Sequence, residues 1–239
     1  PVMSGGGGAA AGTHLVTGKR GWFPLGARAN GQGRVIGTNL AGGDATFTGA
    51  VGAWGIELFA QSASGSGLTL EQARKAGFDA MSVHVEQVDR AHFYPEHAMM
   101  ALELVFEKGT RRILGIQGAS AAGDALVGRI NAVTPYIASG GAIEDISNLE
   151  AVYSPPFAAA MDIVNVAGNV AENALEGRSR TMDVNEFMDL WENRAGNEVC
   201  FLDTRDPVSA EPYVAAHPDR WKNIPQDLLR DRLHDLPED

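Results

Sequence analysis

The chain has 239 residues, 44% of them apolar, with 19 basic against 30 acidic side chains and a formal charge of −11. That length holds one large domain or two smaller ones, and the acidic balance argues against nucleic acid or an anionic membrane as the main partner. The single cysteine, Cys200, excludes an intrachain disulfide and a cysteine-based zinc cluster and suits a reducing, cytoplasmic setting. No apolar run approaches the roughly 18 residues that span a bilayer, and no signal-peptide core follows the start.

Ser4 to Leu15 reads S-G-G-G-G-A-A-A-G-T-H-L. A dinucleotide loop needs a buried strand before it and a helix opening on its last glycine. Only Pro1 to Ser4 precede these glycines, and the T-H-L-V-T-G-K that follows predicts β and turn structure. Residues 1–13 therefore read as a linker or junction, not as a phosphate cradle. Residues 24–40 predict a turn entering a helix that contains Gly31, Gly33 and Gly37. Each interior glycine costs about 1 kcal/mol against alanine, so either a closely packed neighbour or a ligand at the helix start is expected.

W-G-I-E-L-F-A-Q at 54–61 predicts a strand, bounded by S-A-S-G-S-G at 62–67 as a turn. Thr69 is placed to cap a short helix that Gly77 closes. Residues 80–88 alternate, with Met81, Val83 and Val85 against Ser82, His84 and Glu86, which predicts a half-exposed strand. Residues 100–107 predict another, with Leu102, Leu104 and Phe106 on one face. Lys108-Gly109-Thr110 turns it back through 111–117 as a β-hairpin.

Leu126, Ile130, Val133 and Ile137 recur at helical spacing and predict a helix over 123–139, kinked at Pro135. A short helix follows in A-I-E-D-I-S-N. Y-S-P-P-F at 153–157 predicts a rigid corner opening a helix over 157–177. Ile163, Val166, Ala167, Val170 and Ala174 share one face of it, Ala167, Gly168 and Ala171 admit a close neighbour, and Gly177 ends it. Asp183 with Glu186 forms a capping box for a further helix. V-C-F-L-D at 199–203 predicts a short buried strand, and the polar, proline-rich remainder ends in a helix near 226–233. The fold class is α+β: an antiparallel sheet with helices on one side, plus a partial α/β piece.

Three stretches resemble a known family: G-L-T-L-E-Q-A-R-K-A-G-F-D (67–79), H-F-Y-P-E-H (92–97) and Y-S-P-P-F-A-A-A-M-D-I-V-N-V-A-G-N-V-A-E-N-A-L-E-G-R (153–178). Together they resemble the C-terminal dimerisation domain of flavin-dependent pyridine nucleotide-disulfide oxidoreductases, in the branch of coenzyme A-disulfide reductases and NADH oxidases. Residues 22–42 resemble the last segment of that family's FAD domain. V-C-F-L-D-T-R-D-P (199–207) and N-I-P-Q-D-L-L-R-D-R-L-H-D-L-P (223–237) resemble the first half of a rhodanese domain. The resemblance implies the end of an FAD-binding domain at 14–45, a dimerisation domain at 46–178 and a truncated rhodanese-like domain at 183–239. It implies a homodimer, FAD and NAD(P)H in the full-length protein, and a coenzyme A disulfide, persulfide or polysulfide as substrate. The family's FAD fingerprint, redox cysteine and NAD(P)H domain have no counterpart in these 239 residues. This stretch alone is therefore expected to bind no cofactor and to act as a homodimerising scaffold, its interface built from helix 157–177 and the sheet face.

By the same resemblance Leu25, Gly26 and Ala29 line the flavin, and Pro156 and Phe157 reach the partner's flavin edge. Tyr94 and Tyr153 reach toward the partner's active site, where a phenol can hydrogen-bond a thiolate or donate a proton to it. The plainer reading of both is an aromatic ring packed at a dimer interface, and it is preferred for this stretch by itself. Met161 stands where many relatives carry lysine. His84, His92 and His97 lack metal-ligand spacing; His84 reads as strand surface and His92 as interfacial. Cys200 reads as a packed thiol within the buried strand, so a sulfurtransferase reading lacks its loop cysteine. Asp203 and Arg205 read as a strand-end pair with a structural role.

Overall fold

The computed structural model describes residues 6–7, 10–182, 184–196 and 199–237. The chain divides into two units, Pro1–Arg180 and Thr181–Asp239. In the first, strands β1 (Ala11–Thr13) and β2 (Arg20–Trp22) pair antiparallel and lead into helix α1 (Gly26–Leu40). The element after the glycine run is thus a strand. Gly7 donates its amide to Gln32 of α1 at 2.7 Å. The close packing expected of the helix glycines is not found: Gly33 and Gly37 face open space, Gly31 meets only the Phe47 ring at 3.8 Å, and α1 buries no residue.

A five-stranded sheet follows, every neighbouring pair antiparallel. Its order is β3 (Trp54–Leu58), β4 (Gln61–Gly67), β7 (Ile113–Ser120), β6 (Met99–Glu107), β5 (Ala80–Val88). S-A-S-G-S-G is not a turn but the strand β4. Leu58 pairs with Gln61, so the hairpin turns on Phe59 and Ala60. Small residues suit β4 because its neighbours come very close: a Cβ on Gly67 would lie 2.3 Å from the Leu114 carbonyl oxygen. Helix α2 (Leu70–Ala76) has its capping box at Thr69 and Gln72 and ends at Gly77, φ 99°.

The core lies between the sheet and two helices, α3 (Gly123–Ser139) and α5 (Ile163–Leu175). Met100, Leu102, Leu104 and Phe106 of β6 are fully buried, as are Leu126, Val133 and Ile137 of α3. Each such side chain stabilises the fold by about 1.5–3 kcal/mol. Gly118 of β7 lets α3 settle: its Cβ would meet Leu126 Cδ1 at 2.8 Å. Short helix α4 (Ile143–Ser147) packs on α5.

Helix α5 begins at Ile163, six residues later than expected. Asp162 caps it, accepting from the Val164 amide at 3.1 Å. Pro155 to Phe157 forms a separate turn in which the Phe157 and Ala158 amides both reach the Ser154 carbonyl. The two prolines have no N–H to give a helix, whereas aspartate is a strong cap. The apolar face of α5 (Ile163, Val164, Ala167, Gly168, Ala171) is buried within the unit. It packs on α4, β5 and β6, so that face does not supply the expected dimer interface. Among the described residues no helix is long and apolar enough to cross a membrane.

The second unit holds α6 (Val184–Glu192), β8 (Phe201–Asp203), α7 (Pro207–Ala216) and β9 (Trp221–Asn223), with β8 and β9 parallel. The expected cap Asp183 lies outside the described residues. Helix α7 interrupts the stretch read as polar and proline-rich. Pro207 occupies its first turn and Asp206 caps it through the Ser209 amide at 3.0 Å. The helix expected near 226–233 is a 3-10 turn at Leu229–Asp235. Cys200 precedes β8 rather than lying in it, and is half-buried. Trp191, Phe201, Tyr213 and Trp221 form an aromatic cluster, with Trp191 edge-on to Trp221 at 5.5 Å.

Candidate functional site at the Tyr94 loop and the Tyr153 corner

Tyr94 lies in the connection between β5 and β6. Asp89 closes its base: its amide donates to the Ala98 carbonyl at 2.9 Å, and its Oδ1 accepts from the Ala98 amide at 2.8 Å. The Asp89 carboxylate is buried and its other oxygen pairs with Arg90 at 2.8 Å. Inside the loop the Tyr94 amide donates to the Ala91 carbonyl at 2.8 Å, and His97 Nδ1 donates to the Tyr94 carbonyl at 2.6 Å. Tyr94 is half-buried, whereas Phe93 and Met99 are exposed.

The structure brings this loop to the Y-S-P-P-F corner. The Ala91 amide donates to the Pro155 carbonyl at 3.3 Å, and Gln87 of β5 donates to the Met161 carbonyl at 2.9 Å. Tyr94 and the group Tyr153, Pro156 and Phe157 therefore sit on two bonded segments, although 59 positions separate the tyrosines (153 − 94). Val152, Tyr153, Phe157 and Met161 are all exposed. With Phe93 and Met99 they place six large apolar side chains on water-facing positions of the two segments. Such clustering is the mark of a surface that another protein covers.

Two residues that sequence reasoning missed hold the corner. Arg129 of α3 pairs with Asp162 at 2.9 Å, their side chains 13% and 7% exposed. Arg129 also donates to the Phe157 carbonyl. The available signal was Arg129 standing beside the core position Ile130, and Asp162 directly before an apolar helical run. An open cavity of about 290 Å³ lies next to the pair, lined among others by Glu150, Val152 and Phe157.

The other predicted cofactor residues are on a different element. Leu25 and Gly26 begin α1 without a side-chain cap, and Ala29 follows within the first turn. Among the described residues the side-chain hydrogen bonds of α1 run to Gly7, Ala45 and Gly49, not to either tyrosine segment. His84 is exposed and contacts Glu86 at 3.0 Å, and His92 is exposed beside Phe93. In the second unit Asp203 accepts from Arg205 Nη2 at 2.5 Å, from the Arg205 amide at 3.0 Å and from Trp221 Nε1 at 3.1 Å. Arg205 beside it holds the Asp203 carboxyl well below the usual carboxylate range, despite burial. Through Trp221, Asp203 ties β8 to β9, a structural task.

Residues 58–163 match the family described as pyridine nucleotide-disulphide oxidoreductase, dimerisation domain. The chain is 32% identical over 157 residues to the NAD(P)H sulfur oxidoreductase (CoA-dependent) of Pyrococcus furiosus, covering 66% of this chain and 35% of that protein. It superposes on a NAD-dependent persulfide reductase from A. fulgidus with a TM-score of 0.86 and 33% identity, covering 97% of this chain and 40% of that one. It is 55% identical to a FAD-dependent pyridine nucleotide-disulphide oxidoreductase from Desulfovibrio vulgaris, over 71% of this chain and 38% of that one, with a TM-score of 0.60. The chain thus spans well under half the length of these relatives. The sheet and the helices that cover it are an oxidoreductase dimerisation domain, that of the pyridine nucleotide-disulphide oxidoreductases. The relatives that it resembles carry names of several activities, among them NAD(P)H sulfur oxidoreductase, NADH oxidase and Coenzyme A disulfide reductase.

Proposed function

We propose that this chain is the dimer-forming part of an FAD- and NAD(P)H-dependent reductase acting on a coenzyme A disulfide, persulfide or polysulfide. The balanced reaction is NAD(P)H plus a proton plus R–S–S–R giving NAD(P)⁺ and two thiols. One observation carries the reading: two tyrosine segments far apart in sequence are bonded to each other within one exposed apolar patch. In a homodimer that patch faces the partner, and Tyr94 and Tyr153 donate O–H hydrogen bonds toward sulfur there. A phenol so placed stabilises a leaving thiolate and can return a proton to it.

FAD, when bound, supplies the two-electron link between the nicotinamide and the sulfur. The residues present fit one side of it. Leu25 offers an apolar side chain, and Gly26 has nothing within 4 Å of where a Cβ would stand. The start of α1 has no side-chain cap. Ala29 lies on the same turn, and Pro156 and Phe157 present a rigid apolar edge for the partner's flavin. On this reading residues 14–45 form the end of an FAD-binding domain, 46–178 the dimerisation domain, and 183–239 part of a rhodanese-like domain.

For these 239 residues alone the reading is a homodimer without turnover. Sedimentation of the purified chain should give twice the 25.3 kDa mass, with no flavin absorbance and no NADH oxidation. A monomer at micromolar concentration would remove the dimer reading. In a complete reductase carrying this segment, Tyr94→Phe and Tyr153→Phe should each lower kcat/KM for the disulfide by about tenfold or more, the scale of one lost transition-state hydrogen bond. Wild-type values in both would remove the tyrosine roles.

A further inference from the structure

Arg129 reaches four pieces of chain. Its Nη2 donates to the Asp89 carbonyl at 2.8 Å, where the Tyr94 loop leaves β5, and to the Phe157 carbonyl at 3.2 Å in the Tyr153 corner. Its Nε donates to Asp162 Oδ2 at 3.1 Å at the start of α5, and Nη1 donates to the Ala125 carbonyl at 3.3 Å on its own helix. The two targets on the tyrosine segments are both backbone carbonyls, so the side chain fixes main-chain paths rather than other side chains. A guanidinium carries five N–H donors in one rigid plane, whereas an ammonium has three on a single atom and no fork.

The other bonds of the Tyr94 loop are mostly local to it. Of its residues 90–97 only Ala91 is buried, and Phe93, Pro95, Glu96 and His97 are exposed. Its direct bond to the corner, Ala91 to Pro155, is long at 3.3 Å. We propose that Arg129 is a positioning residue that locks the Tyr94 loop to the Tyr153 corner, so that both tyrosines are presented from one rigid edge. Arg129 acts through the main chain. The catalytic consequence rests on the tyrosine reading above; the lock itself does not.

Amide hydrogen exchange on this chain tests the lock. In Arg129→Lys, which keeps the charge opposite Asp162 but loses the fork, the Ala91, Tyr94 and Ala158 amides should exchange about tenfold faster or more, while Leu102 and Leu104 of β6 keep native rates. Native rates at all three amides overturn the lock. If Arg129→Lys loosens the whole unit, Asp162→Asn, which weakens the anchor and keeps the helix cap, should show the selective pattern. Uniform acceleration in both variants makes Arg129 an ordinary core contact and overturns the proposal.

A double-mutant cycle in a complete reductase carrying this segment tests the consequence. Arg129→Lys should cost less kcat/KM on a Tyr153→Phe background than on wild type. Fully multiplicative losses overturn positioning through Tyr153. Selective exchange together with silent tyrosine variants overturns the tyrosine roles and leaves the lock standing, so the two failures are told apart.

Discussion

Gly168 of α5 lies against Ser147 of α4 so closely that a Cβ on the glycine would stand 2.6 Å from the serine amide nitrogen and 2.8 Å from its Cα. The neighbouring atoms are backbone and cannot rotate away. Both helices would have to shift, and α5 is also fixed to β5 and β6. Gly168→Ala should destabilise the first unit by about 1–3 kcal/mol, and Gly168→Val by more. Urea denaturation followed by circular dichroism checks this; an unchanged midpoint for the alanine variant contradicts the packing.

Asp162 has two tasks, and substitutions separate them. It caps α5 and neutralises the buried Arg129. Asp162→Ala removes a cap and leaves a buried cation unpaired, for a loss of about 3–5 kcal/mol. Asp162→Asn keeps an acceptor for the Val164 amide, so it should lose clearly less. Equal losses in the two variants would show that the cap contributes nothing.

The second unit should weaken in acid. The Arg205 side chain, then its amide and the Trp221 indole, hold the Asp203 carboxyl low against the opposing effect of burial. A carboxylate with a depressed folded value contributes stability that is complete above the unfolded value, near 4, and is lost as pH falls from there toward the folded value. The Trp221 indole N–H resonance reports the contact directly. It should hold its position from pH 7 through 4 and move only well below that, as the folded carboxyl takes up its proton or the unit unfolds, and in Asp203→Asn it should start displaced and show no acid step from this group.

His14 acts in a higher pH window. Its Nδ1 accepts from the Val16 amide at 3.1 Å, which requires an unprotonated nitrogen, and burial lowers its pKa. Lys19 and Arg20 on the same hairpin, and Arg112 reaching the Leu15 carbonyl, are all cations. The unfolded chain takes up the proton near pH 6.5 and the folded chain only lower, so stability falls as pH drops below about 6.5. Exchange of the Val16 amide between pH 7.5 and 5, corrected for intrinsic rate, should rise toward the acid end. His14→Phe should abolish that dependence; the same profile in the variant would clear His14 of the effect.

Local rules were legible where a residue's neighbours in sequence are also its neighbours in space. The alternation over 80–88 is β5, the spacing of Leu126, Ile130, Val133 and Ile137 is the buried stripe of α3, and Thr69 caps α2. Two misreadings have a physical cause. S-A-S-G-S-G has turn-like composition, yet it is a strand because β3 and β7 pair with it on both edges. Asp206 and Pro207 look like loop residues, yet they are what a helix start requires, and α7 begins there.

The sequence by itself determined the α+β class, the strands β3, β5, β6 and β7 and the helix α3, and through its specific stretches the family resemblance. Only the tertiary structure decided that the segments of Tyr94 and Tyr153 are bonded to each other, that Arg129 joins them, and that the apolar face of α5 is turned inward. The partners of Arg129 at Asp89, Phe157 and Asp162 lie 40, 28 and 33 positions away. Periodicity reports which face of an element is apolar. It does not report what covers that face, because that depends on contacts made only when distant segments meet.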